Sequence, residues 1–110
     1  MKNTSVINSE VTNVSYPSLC IPRIFSNIQK KDIFKVFKSL NIGYIERIDM
    51  ITKTTDKGEV YKRAYIHFKY WYPCAENMRQ RIINNEEAKI IYDEPWFWKV
   101  SKNHNKEIQN

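Results

Sequence analysis

Between Tyr61 and Tyr72 the chain alternates residue by residue, and a period of two is the signature of an extended strand with one buried face. In Tyr61-Lys62-Arg63-Ala64-Tyr65-Ile66-His67-Phe68, Ala64, Ile66 and Phe68 can face a core while Tyr61, Arg63, Tyr65 and His67 face the other way, because side chains on a strand change sides at every residue. Two aromatics, a guanidinium and an imidazole on an outward face suit a surface that stacks bases and neutralises phosphates. They also suit an amphipathic strand whose aromatics support cross-strand pairs. Both readings stand at this point.

The rest of the chain supplies a scaffold for that strand. Residues 1–16 are polar and aperiodic and read as a flexible arm. Leu19 to Phe25 reads as a first strand, with Pro22 placing it near a sheet edge or bulge because proline donates no ladder hydrogen bond. Ile33, Val36, Phe37 and Leu40 fall at i, i+3, i+4 and i+7, which predicts a helix from Lys31 to about Leu40, with Asp32 in its first turn and Asn41-Ile42-Gly43 as its stop. Tyr44 to Thr52 reads as a second strand with Ile48 and Met50 inward and Arg47 and Asp49 outward. Asp56-Lys57-Gly58 is the turn into the organising strand, so the two should form an antiparallel hairpin. Pro73 opens a second helix, from about Cys74 to Asn84, with Ala75, Met78 and Ile82 inward and Arg79 and Arg81 outward. Ala88 to Asp93 reads as the last strand, ended by Pro95, and residues 102–110 as a polar tail.

This order predicts an α+β sandwich over residues 17–101. Its four-stranded antiparallel sheet would be ferredoxin-like, with two helices on one face and the other face open. A hydrophobic content of 42% in 110 residues fits one small core. The net charge of +6 favours an anionic partner, nucleic acid first. Met1 to Ser5 has no apolar segment behind it, so no signal peptide is expected, and no run of eighteen apolar residues predicts a membrane span. Cys20 and Cys74 are isolated, with His67 and His104 unclustered, so neither a metal nor another cofactor is expected, and both thiols should be reduced and half-buried in an intracellular protein. No His-acid pair, phosphate loop or nucleophile motif is visible, which argues against an enzyme and a small-molecule substrate.

The strand order, the third strand and the end of the first resemble an RNA-recognition-motif domain. That family's third strand carries basic-Gly-aromatic-Gly/Ala-aromatic-aliphatic-x-aromatic. This chain matches at Ala64, Tyr65, Ile66 and Phe68 and departs at Tyr61, Lys62 and Arg63. Phe25-Ser26-Asn27-Ile28 resembles the family's first-strand ending, while Ile24 stands where the stacking aromatic belongs and Arg23 fills an otherwise apolar place. The resemblance implies a non-catalytic module binding single-stranded RNA on the open face. Tyr65 would stack on a base and Arg63 would stack through its guanidinium plane or meet a phosphate, with Tyr61, His67, Arg47, Ile24, Lys89 and Lys99 around them. Alternatively, Arg47 and Arg63 pair with Asp49 and Asp93.

The run from Tyr92 to Lys99 is also similar to small basic proteins of giant DNA viruses, which would set the chain in a host cell or virion. A competing reading is a protein-interaction module that docks on a larger assembly through Trp96, Phe97 and Trp98. For those aromatics the expectation is that one Trp lies back over the open sheet as a cap and the other is exposed. Trp71 is expected to be packed.

Overall fold

The computed structural model describes residues 14–105. The long hairpin comes first in strength: β2 (Gly43–Thr54) and β3 (Val60–Trp71) pair antiparallel from Gly43 opposite Trp71 to Thr54 opposite Val60. Its turn closes by backbone bonds from Gly58 N–H to Thr55 O and from Thr55 N–H to Glu59 O, both 2.9 Å. Gly58 sits at φ +88°, a conformation that costs glycine nothing. Gly43 is small for a different reason. A Cβ there would come within 2.7 Å of Phe68 Cδ1 and 2.9 Å of the Tyr70 carbonyl, so the glycine lets the start of β2 lie close on β3.

Helix α1 (Lys30–Leu40) forms where its apolar period places it. The Asp32 carboxylate accepts from the Gln29 N–H at 2.9 Å, satisfying one orphan donor of the first turn. Asn41 ends the helix in the left-handed conformation at φ 58°. Ile33 and Phe37 are fully buried and Val36 half-buried, whereas Leu40 stays exposed. Pro73 opens a 3-10 turn, Pro73–Ala75, and α2 (Glu76–Ile83) follows with Ile82 buried. Arg79 does not point outward as expected. Its guanidinium donates to the Tyr16 carbonyl at 2.7 Å and to Glu76 at 3.0 Å, and so helps hold the segment before the first strand. Val14 is held too, its carbonyl accepting from Trp71 N–H at 2.8 Å. The expected arm is thus anchored over residues 14–16, while its residues 1–13, like residues 106–110 of the expected tail, lie outside the described residues.

The sheet departs from expectation. Among the described residues it has five strands, not four, in the order β2-β3-β1-β5-β4, all antiparallel. β1 (Leu19–Phe25) is central, not at an edge. It accommodates Pro22 by a register shift between Ile21 and Ile24, the bulge that a missing N–H donor calls for. β4 (Ala88–Asp93) pairs only with β5 (Trp96–Lys102), and β5 takes the place beside β1. Pro95 does not end the sheet: it turns the chain back, with Glu94, into a hairpin whose second strand holds the closing aromatics.

Trp98 is therefore not a cap over the open face. It lies 2% exposed between the sheet and the helices, stacked on Tyr92 with centroids 4.3 Å apart and parallel to Phe37 at 6.4 Å. Leu19, Ile21, Ile48, Ala64, Ile66, Phe68 and Val100 share this core with Ile33, Phe37 and Ile82, which places both helices on one face. Trp71 is buried, its indole N–H donating to the Pro17 carbonyl at 3.1 Å. The Trp98 indole N–H is buried without an acceptor among the described residues. No helix among the described residues is long and apolar enough to cross a membrane.

Candidate functional site

The face away from the helices can be read in rows, because residues paired across antiparallel strands point to the same side. In the first row Arg47 of β2 lies opposite His67 of β3; in the next, Asp49 opposite Tyr65, and Tyr65 opposite Cys20 of β1. Cys20 in turn faces Ser101 of β5. Two residues further along each strand, Ile51 lies opposite Arg63 and, on the far strands, Lys99 lies opposite Lys89; β1 and β5 pair at Leu19–Lys102 and Cys20–Ser101, so the two halves share the face without a ladder between them. The last row runs from Lys53 to Tyr61 to Phe25, and on the far strands from Phe97 to Ile91. Of the residues expected to form the site, Tyr65, Arg63, Tyr61, His67, Arg47, Lys89 and Lys99 share this face. Ile24 does not. The bulge after Ile21 turns it into the core, 2% exposed, where it cannot meet a base.

The first two rows are committed to one another. Ser18 Oγ lies 2.9 Å from His67 Nδ1, and His67 Nε2 lies 3.0 Å from Asp49 Oδ2. Arg47 Nε also donates to the Asp49 carboxylate, at 3.2 Å. The pairing of Arg47 with Asp49 is thus present, and a His-acid contact exists that the linear sequence does not display. A serine, an imidazole and a carboxylate in series activate a nucleophile in hydrolases. Here the hydroxyl belongs to a residue only 6% exposed. Its bond instead fastens the start of β1 to β3 and β2.

Arg63 does not reach Asp93. Its Nε donates to the Pro22 carbonyl at 3.2 Å, an acceptor supplied by the bulge. Beside it, burial pushes the Cys20 thiol up from its ordinary pKa, and the Arg63 guanidinium offsets part of that rise. Cys20 and Cys74 are both free thiols, Cys20 half-buried and Cys74 exposed, so the second cysteine is more open than expected. Among the described residues no group of three or more His, Cys, Asp or Glu side chains is placed to hold a metal ion.

The end of the sheet farthest from His67 has a different character. Phe25, Trp96 and Phe97 are exposed there by 56%, 53% and 41%. The Phe25 and Trp96 rings meet edge to face at 5.7 Å. Cations lie on two of the neighbouring rings: the Arg23 guanidinium is 4.4 Å from the Tyr61 centroid and the Lys89 ammonium 4.7 Å from that of Phe97. A cleft of about 330 Å³ opens beside them, with Arg23, Phe25, Tyr61 and Phe97 in its wall. The linear reading missed Phe25 and Arg23 as site residues. The signal was present in the alternation Phe97, Lys99, Ser101 against Trp98, Val100, which marks a strand and puts Phe97 beside the end of β1.

No family model matches this chain, and no curated protein or solved structure does either. Function is therefore inferred from the chain's own residues.

Proposed function

We propose that this chain is a non-catalytic, RNA-recognition-motif-like module that binds single-stranded nucleic acid, RNA foremost, across its open sheet face. The observation that carries the proposal is the adjacency of two rows on that face. Tyr61, Phe25 and Phe97 supply ring surfaces at one end, and Arg63, Lys99 and Lys89 supply charge one row away. A single strand lying across β3, β1 and β5 would set its bases on the rings and its phosphates on the cations, the combination that sequence-tolerant single-strand binding uses. The centre of the site thus moves from Tyr65 toward Tyr61 and Phe25, with Tyr65 as a flanking platform. The run β2-β3-β1 followed by a strand from beyond α2 supports the ferredoxin-like relation, with β5 in the fourth place and β4 added outside it.

A second reading, a protein-docking face, is favoured by one observation: Ile91 in the aromatic row, and Trp96 edge-on against Phe25, are exposed without adding charge. Anisotropy titration with labelled oligouridylate separates the two. Under the nucleic-acid reading, Phe25→Ala and Tyr61→Ala each weaken binding by about 1–3 kcal/mol, the range for one stacked base. Arg63→Ala flattens the log–log salt slope by about 0.7, one phosphate contact on a single strand. Wild-type protein that fails to bind, or that binds with an affinity indifferent to salt, removes the nucleic-acid reading and leaves the protein face.

A further inference from the structure

Helix α1 carries one residue that its core-facing stripe does not explain. Ile33 and Phe37 point inward, yet Phe34 between them is 43% exposed. On a helix Phe34 is one turn from Lys30 and one turn from Lys38, and the Lys38 ammonium lies 5.9 Å from its ring. Two clefts, of about 260 and 250 Å³, meet at this side chain, and Phe34 and Ile45 line both. They are one groove between α1 and β2. Tyr44 and Tyr72 wall one end of it, and Glu46, Arg47 and Ile48 the other.

Two properties of the groove specify an occupant. Lys30, Lys31 and Lys38 line it against the one carboxylate Glu46 among the described residues, while Arg47, also in its wall, is paired with Asp49, so it complements negative charge. β2 is also an edge strand, its sole sheet neighbour among the described residues being β3. Its outward N–H and C=O groups therefore have no sheet partner; they are offset by register shifts on either side of Ile45 and run regularly from Arg47 onward, where another peptide backbone can meet them. A phosphodiester backbone lacks the alternating N–H and C=O groups, spaced as on a strand, that pair in register with such an edge.

We propose that this groove takes an acidic segment of a partner protein in extended form. The segment adds to the β2 edge, seats an apolar side chain against Phe34 and Ile45, and turns its carboxylates toward Lys30, Lys31 and Lys38. The proposal stands apart from the nucleic-acid face, with which it shares only Arg47. The probe is a fluorescein-labelled synthetic peptide in which glutamate and aspartate flank a Phe-Thr-Val core, titrated into the full chain by anisotropy and by amide NMR. Binding is expected to shift the amides of residues 44–48. Phe34→Glu is expected to weaken it at least about tenfold, the loss of one interface anchor. Lys30→Glu combined with Lys38→Glu is expected to weaken it as well, and Phe34→Glu should leave oligouridylate affinity unchanged. Because Phe34 is exposed the variants should fold, which thermal melts verify, and Phe34→Ser is the fallback if Phe34→Glu does not. The proposal is overturned if the wild type does not bind the probe or if Phe34→Glu binds it equally well. It also fails if the same core flanked by serine binds as tightly, or if oligouridylate displaces the probe from residues 44–48.

Discussion

Trp98 gives the sharpest test of the packing described above, because two effects of opposite sign meet at one side chain. Replacing it by alanine empties the space between Tyr92 and Phe37, and truncating a buried tryptophan costs about 3–5 kcal/mol. Replacing it by phenylalanine removes only two ring carbons and the N–H. The carbons are worth about 0.8 kcal/mol each, roughly 1.6 kcal/mol together. The buried N–H has no acceptor among the described residues, and an unsatisfied buried donor costs about 1–3 kcal/mol, which the phenylalanine variant recovers. Trp98→Phe should therefore lie close to wild type. Trp98→Ala should lose about 4 kcal/mol, a shift of roughly 2 M in urea midpoint at a slope of about 2 kcal/mol/M. Far-UV circular dichroism is the readout of choice, since Trp71 and Trp96 would confuse fluorescence. If the phenylalanine variant falls as far as the alanine variant, the unsatisfied N–H carries no weight. If the alanine variant is as stable as wild type, Trp98 is not part of the core.

Gly43→Ala should destabilise by about 1–3 kcal/mol, since its Cβ meets Phe68 and the Tyr70 carbonyl and the start of β2 must move; urea titration reads it. His67→Ala should cost about 1–3 kcal/mol, because it strands the buried Ser18 hydroxyl, and pairing it with Ser18→Ala should recover part of the loss. Exposed Cys74 should react with a disulfide-exchange reagent ahead of Cys20 at mildly alkaline pH. The raised pKa of Cys20 keeps its thiol protonated, so its rate should climb as pH rises. Arg63→Gln, by removing the cation that lowers that pKa, should slow it further; equal rates for the two cysteines would contradict this.

The hairpin and α1 were legible because each repeats its period long enough for one register to win: Ala64, Ile66 and Phe68 at two, Ile33 and Phe37 at helical spacing. β5 was missed because Pro95 reads as a terminator and Trp96-Phe97-Trp98 as a lid, although the alternation through Val100 and Ser101 was there. Pro22 called for a sheet edge or a bulge and the bulge is what forms, but a bulge also shifts every later side chain, so Ile24 exchanged the expected ligand face for the core. The Ser18–His67–Asp49 chain joins the residue before β1 to β3 and β2. No local pattern announces a contact whose geometry exists only once the sheet is assembled.

That assembly has an order of its own. β1 sits in the middle of the sheet, and its last neighbour is β5, with Leu19 opposite Lys102. While the chain is being synthesised, β1, β2 and β3 can associate as soon as the hairpin is complete, but β1 then presents a bare backbone edge until residue 102 has emerged. Nascent chains are thus exposed to wrong pairing for as long as α2 and the last hairpin take to appear. Closure comes through the most distant contact in the sheet, so the complete sheet forms after synthesis of β5 and at the slow pace of non-local strand pairing.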